Sequence, residues 1–254
     1  MIDPTSMVLV GAAAMAAGAV NAIAGGGSLI TFPTLVAVGL SPVTASITNT
    51  VALCPGYLGA TLAQRRDLAG QGRRAAWLLP IGAIGGVLGA LLLLNTGERA
   101  FDIVVPFLLL LAALLVGFQT RLRGWLFGPD KPAAPSRAEG WAMVPVGLAA
   151  IYGGYFGAGL GVMILAALGI VLADNLTRIN ALKQSVSLCV NVAAAIVFLS
   201  SGRIDWPIAG VMLVGALIGG VIGGKLASRI PASYLRALVV VLGIGLSIVY
   251  FARL

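Results

Sequence analysis

A chain of 254 residues with 59% hydrophobic and only 9% charged side chains is not an ordinary water-soluble domain, which carries about a quarter charged residues. Its mean hydropathy is +1.05 and apolar runs recur from Met7 to the C-terminus, so the sequence reads as a polytopic membrane protein. The net charge of +8 sits in short loops between those runs, as topology-setting basic loops do, which argues against a nucleic-acid surface.

The opening MIDPTS has no basic n-region, so no cleaved signal peptide is expected. Histidine is absent, which removes the commonest general base and metal ligand. No CxxC, HExxH or Walker-type loop occurs, so no metal or other cofactor, no hydrolase chemistry and no ATP-driven pump is expected. A membrane enzyme would have to use Cys54 or Cys189 as its nucleophile. The bland account of these two thiols is that of small buried hydrophobes.

In chain order, apolar stretches fall at 7–24, 29–40, 43–63, 75–94 and 101–119, then at 141–156, 162–173, 180–200, 207–227 and 234–251. Between the two groups lies one long polar, proline-containing linker, TRLRGWLFGPDKPAAPSRAEG. This divides the chain into a first transmembrane repeat 1–119, a cytoplasmic linker 120–140 and a second repeat 141–254, integrated as one membrane domain. The second member of each group has about a dozen residues and covers only about 18 Å at 1.5 Å per residue, short of the roughly 30 Å of hydrocarbon. The first and second members therefore form either hairpins that dip in and return or tilted, broken spans.

The groups repeat one another. IGGVLG at 84–89 recurs as IGGVIG 134 residues on, AGGGS corresponds to GAGLG at 157–161, and Cys54 is matched by Cys189 at an offset of 135. With the loop carrying Arg65, Arg66, Arg73 and Arg74 in the cytoplasm, and every stretch reversing the chain, 13 Lys/Arg fall inside and 3 outside. The competing topology, with a single crossing for the second opening hairpin, gives 10 against 6. Five reversals per half make the repeats inverted. The expected fold is thus an all-α polytopic membrane protein of two inverted five-segment repeats, each opening with a glycine-rich broken or re-entrant helical hairpin.

Inverted repeats with interrupted helices bind substrate near the midplane between repeats. This makes the turns Gly25, Gly26, Gly27, Ser28 and Gly157, Gly159, Gly161 the leading site candidates. A helix starting at Leu29 or Val162 would present N–H groups and its positive dipole end, and glycine lets an anion approach them. The competing account is close helix packing through small residues. That account is preferred for GAIGGVLGA and GALIGGVIGG, with their Gly82/Gly86 and Gly215/Gly219 spacings.

The third segments add polar residues, TASITNT and NALKQSVSLCVN. Thr48, Asn49, Gln184 and Ser185 join the candidate substrate-binding set, together with Asn21 before the first turn. Lys183 either snorkels to the cytoplasmic surface or draws anions to the cavity mouth. All eight acidic residues fall in loops or at segment ends, so a buried carboxylate proton relay is not expected.

With its AGGGSLITFPTLVAVGLSPVTASITNT, GAGLGVMILAALG, NALKQSVSL and SGRIDW elements, the chain resembles the sulfite exporter TauE/SafE family, grouped with toluenesulfonate-uptake-type permeases. The resemblance covers nearly the whole chain. It implies a multi-pass bacterial inner (plasma) membrane protein moving a small anion such as sulfite, a sulfonate or sulfoacetate. Its partners would be that anionic substrate and the lipid bilayer, with no nucleic acid and with room for a homo-oligomer. A channel or a carboxylate permease are the alternatives. The second copy departs from the family pattern, with its glycine run diluted to GAGLG and ALKQS where a Gly-Thr-Ser-like element is expected.

Overall fold

The computed structural model describes residues 3–23, 26–127, 142–172, 174–226 and 232–252, and Gly25 and most of the linker lie outside them. All regular structure in the described residues is helical: α1 (Pro4–Ile23), α2 (Ser28–Ala37), α3 (Pro42–Ala63), α4 (Gly72–Asn95), α5 (Glu98–Phe127), α6 (Met143–Tyr155), α7 (Leu160–Val171), α8 (Leu176–Leu199), α9 (Trp206–Leu226) and α10 (Ala232–Phe251). A 3-10 turn, Arg65–Leu68, joins α3 to α4. The fifth stretch reaches further than its hydropathy suggests, since α5 continues to Phe127 through Arg121 and Arg123. Among the described residues four helices are long and apolar enough to cross a membrane, within Pro4–Asn21, Gly72–Asn95, Glu98–Leu122 and Leu176–Leu199.

Local chemistry explains where the helices begin. Ser41 accepts a hydrogen bond from the Thr44 N–H while Pro42 opens α3, a position where the missing proline N–H costs nothing. Asn175 accepts from the Arg178 N–H at 2.9 Å to cap α8, and Asp205 accepts from the Ile208 N–H at 3.0 Å to start α9. The acid of SGRIDW is thus a helix cap, and Gly202 turns the preceding chain at φ +65°.

The helices associate across the two halves of the sequence. Helix α1 lies along α9, α4 along α6 and α8, α3 along α8 and α9, and α5 along α10. Replacing each helix by the one five places on converts α1–α9 into α6–α4 and α3–α9 into α8–α4, and returns α3–α8 and α5–α10 to themselves. At one end of α3, Asn180 of α8 donates to Gln64 Oε1 at 2.8 Å. Towards the other end, the Asp205 N–H that follows α8 donates to Thr48 Oγ1 at 3.2 Å. Helices α3 and α8 therefore run antiparallel.

Glycine makes these contacts close. A Cβ on Gly86 of α4 would fall 2.5 Å from the Val190 carbonyl of α8, and one on Gly215 of α9 would fall 2.6 Å from the Gly11 carbonyl of α1. Without a hydrophobic drive between helices in lipid, such backbone proximity carries the association. On α4 the pair Gly82 and Gly86 faces α8, whereas Gly85 and Gly89 face α6, so one glycine-rich stretch serves two neighbours.

The short helices α2 and α7, of 10 and 12 residues, lie inside this shell. Leu29, Phe32 and Leu35 on α2, and Ile164, Leu165 and Leu168 on α7, are all buried. At about 15–18 Å neither is long enough to span the hydrocarbon, and the heads of both are packed mostly against protein, as irregular backbone within a bilayer requires.

At the end of the bundle where α3 meets α4, Asp174 accepts from Arg74 at 2.6 Å and from Arg178 at 3.1 Å. Burial pushes its carboxyl up, but hydrogen bonds from Arg74, the Asn175 N–H and Arg178 outweigh this and hold it below the usual carboxylate range.

Two predictions follow from these contacts. Gly86→Ala overpacks a seam with no room to move and costs about 1–3 kcal/mol. Gly210→Ala on α9, where a Cβ meets nothing within 4 Å, gains a few tenths to about 1 kcal/mol in helix propensity. Thermal unfolding in detergent should separate the two variants in sign. Because the folded value for Asp174 lies below the unfolded one, its contribution is present above about pH 4 and is lost as pH falls through the folded value. The stability gap between wild type and Asp174→Asn should therefore close on acidification; a gap that widened would contradict the assignment.

Candidate functional site

The two glycine turns converge on one helix. Gly26 has φ +89°, and Gly157 and Gly159 have φ +79° and +78°, left-handed values that cost any other L-residue about 1–2 kcal/mol. A Cβ on Gly26 would stand 3.1 Å from Val116 of α5, and one on Gly159 would stand 3.4 Å from Ala112. Those residues are one helical turn apart, the nineteenth and fifteenth of the 30 residues of α5, near its middle. Phe32, one turn into α2, meets Phe156, the residue before the second turn, edge to face at 5.1 Å.

The turns differ in what occupies their donors. In the first, the Gly27 N–H donates to Asn21 Oδ1 at 3.4 Å, the N–H groups of Leu29, Ile30 and Thr31 donate to Gly26 and Gly27 carbonyls, and those of Gly26 and Ser28 have no partner among the described residues. A Cβ on Gly27 would sit 2.6 Å from the Ala17 carbonyl, so this turn is pressed onto α1. In the second, Leu160, Val162 and Met163 donate to Gly157 and Gly159 carbonyls. The N–H groups of Ala158, Gly159 and Gly161 have no partner among the described residues. The Tyr152 hydroxyl donates to the Ala158 carbonyl at 2.6 Å and pins this turn to the end of α6.

Lys183 lies beside the open turn. A Cβ on Gly161 would find the Cδ, Cε and Nζ of Lys183 all at 3.8 Å, which places the ammonium near the positive end of α7. Its equivalent at the 135-residue offset is Thr48, whose hydroxyl oxygen accepts from Asp205 towards the opposite end of the antiparallel α3–α8 pair.

Asn49 is 3% exposed and its Oδ1 accepts from the Thr31 hydroxyl at 2.6 Å, leaving its amide nitrogen without a partner among the described residues. Thr31 is absent from the sequence-predicted set. Its signal was one of two threonine hydroxyls, with Thr34, on an otherwise apolar short segment. Ser28 is buried, the Ser185 hydroxyl donates within its own helix to Ala181, and Gln184 is half-buried. The hydroxyls of Ser46 on α3 and Ser187 on α8 are buried and without partners among the described residues. Both thiols are free, that of Cys54 donating to the Thr50 carbonyl and that of Cys189 to the Leu79 carbonyl. Among the described residues no three His, Cys, Asp or Glu come together as metal ligands would.

The chain is 26% identical to the probable membrane transporter protein YfcA of Escherichia coli (strain K12) over 251 residues, 97% of this chain and 90% of that one. It is 29% identical over 228 residues to a probable membrane transporter protein of Haemophilus influenzae, covering 88% and 86%. A probable membrane transporter protein ORF9 of Sinorhizobium sp is 28% identical over 236 residues, covering 93% and 88%. No solved structure matches. The family model described as sulfite exporter TauE/SafE matches residues 10–250, and the chain belongs to that family of membrane transporters.

Proposed function

We propose that this protein is a secondary transporter for a small anion of the sulfite, sulfonate or sulfoacetate class, working in the bacterial inner membrane. The observation that carries the reading is the convergence of the two glycine turns on the middle of α5, with the Lys183 ammonium beside the open donors of the second turn. Two further features support it. The five-place exchange of helix neighbours and the antiparallel run of α3 and α8 suit inverted repeats, and the orphaned Ser46 and Ser187 hydroxyls are ones that a wet passage between those helices would satisfy.

In this reading the anion lies against the Gly159 and Gly161 N–H groups, with Lys183 supplying charge and the Asn49 amide and Ser28 hydroxyl supplying neutral donors. Gly26 and Gly27 shape the other wall, and Asn21 holds that turn closed. Gln184 and Ser185 border the same path on α8, while Gly157 bends the chain into the second turn. Thr48 sits towards the opposite mouth. Backbone and amide donors suit an oxyanion because several short N–H contacts replace its water shell without a fixed carboxylate nearby to repel it.

Proteoliposome uptake tests this directly. Saturable flux and counterflow of at least one sulfur oxyanion or sulfonate are expected, and flux no better than in empty vesicles across that class and small carboxylates would overturn the reading. Lys183→Gln should raise the half-saturation concentration by about 10–100-fold, the loss of one charge-assisted hydrogen bond of about 1.5–3 kcal/mol. Gly159→Leu should abolish flux, whereas Gly161→Ala, whose methyl would meet Lys183 at ordinary contact distance, should keep most of it.

A further inference from the structure

The loops joining α3 to α4 and α7 to α8 belong to different halves of the sequence, yet they are tied together at one end of the bundle. Asp174 takes Arg74 and Arg178 on one carboxylate oxygen at 2.6 and 3.1 Å. Arg178 also donates to the Ala69 carbonyl at 3.0 Å. Gln71 donates to the Arg178 carbonyl at 3.0 Å and Asn180 donates to Gln64 at 2.8 Å.

Among the described residues the opposite end has much less. There Arg203 stands 3.6 Å from Glu98 with both side chains nearly half exposed, an arrangement worth little in water. The Ser41 hydroxyl donates to the same Glu98 from within the first half at 3.2 Å, and the Asp205 N–H donates to Thr48 across the halves.

The tied end is also imperfectly made. Gln71 is buried, and its Oε1 has no partner among the described residues. An interface that stayed shut would gain by satisfying that acceptor, whereas one that opens gives it water for part of the cycle. Its first-half segment is a four-residue 3-10 turn ending near Gly70 at φ +78°, a short tether that can be re-aimed without unwinding α3 or α4.

We propose that the Arg74–Asp174–Arg178 cluster is a gate latch, which shuts the face carrying the Arg65–Arg74 loop and must open for substrate to pass on that side. The inference rests on the transporter reading above, because a gate needs a passage.

The test is alkylation of Ser185→Cys in a Cys54→Ala/Cys189→Ala background, with a membrane-impermeant maleimide added to one face at a time. Asp174→Asn should raise labelling from the latched face about fivefold or more and lower it from the other face, as a two-state coupling of 1 kcal/mol or more requires. Arg74→Asp/Asp174→Arg, which keeps one carboxylate between two guanidiniums, should restore the wild-type ratio. Should Asp174→Asn fail to fold, Arg178→Gln makes the same test. Unchanged labelling from both faces, or a rise from both, overturns the latch, the latter marking mere loosening. Reciprocal labelling in a protein that moves no anion would uphold the latch while removing the transporter reading. Measured flux with labelling indifferent to Asp174→Asn would remove the latch alone.

Discussion

Backbone that is not helical cannot face lipid, because every unpaired N–H or C=O there costs several kcal/mol. The structure follows from that constraint. Helices of 10 and 12 residues with glycine turns at their heads must sit inside a shell of longer helices. The shell closes around them only because glycines let its members approach to backbone contact. Where Gly86 meets Val190 and Gly215 meets Gly11, the absence of a side chain is the attachment. The glycine content of this chain thus has two uses that composition alone does not separate, close association in the shell and left-handed turns at its centre.

The two halves share a plan but not a charge distribution. In the first, Asn21 and the α1 backbone crowd the turn, and Thr48 is engaged by the Asp205 N–H. In the second, the turn keeps open donors and Lys183 stands where the first half has a neutral threonine. A cation beside only one of the two turns, and a side chain closing one donor of the other, suit a single small anion better than two equal sites would. The diluted glycine run GAGLG does not weaken this, since the positions that need left-handed backbone, 157 and 159, are still glycine.

Much of this was legible in the sequence. Ten apolar stretches, the short second member of each group, and the repeat offset near 134 all follow from hydropathy and self-similarity, and the helices fall where those signals put them. Helix neighbours follow less readily. That Gly82 and Gly86 face α8 while Gly85 and Gly89 face α6 depends on how helices from different halves interleave, which spacing cannot encode. The continuation of α5 to Phe127 was hidden because basic residues read as loop, although a helix emerging from a bilayer accepts them. Of the candidate site, the sequence offers Lys183 either as a snorkelling cation or as one at the cavity mouth, and its place beside Gly161 depends on how α7 packs on α8, which spacing does not encode. The Thr31–Asn49 bond was not legible either, since a hydroxyl inside an apolar run has no periodicity to betray it.

The central claim is that one anion rests against the second glycine turn within reach of Lys183. It is tested most directly by an experimental structure of the protein with selenite or a selenonate, whose selenium can be located by its anomalous scattering. The account predicts a single site with anion oxygens about 3 Å from the Gly161 N–H and the Lys183 ammonium, lost in Lys183→Gln. Density at the first turn alone, or anywhere away from α7, would contradict it.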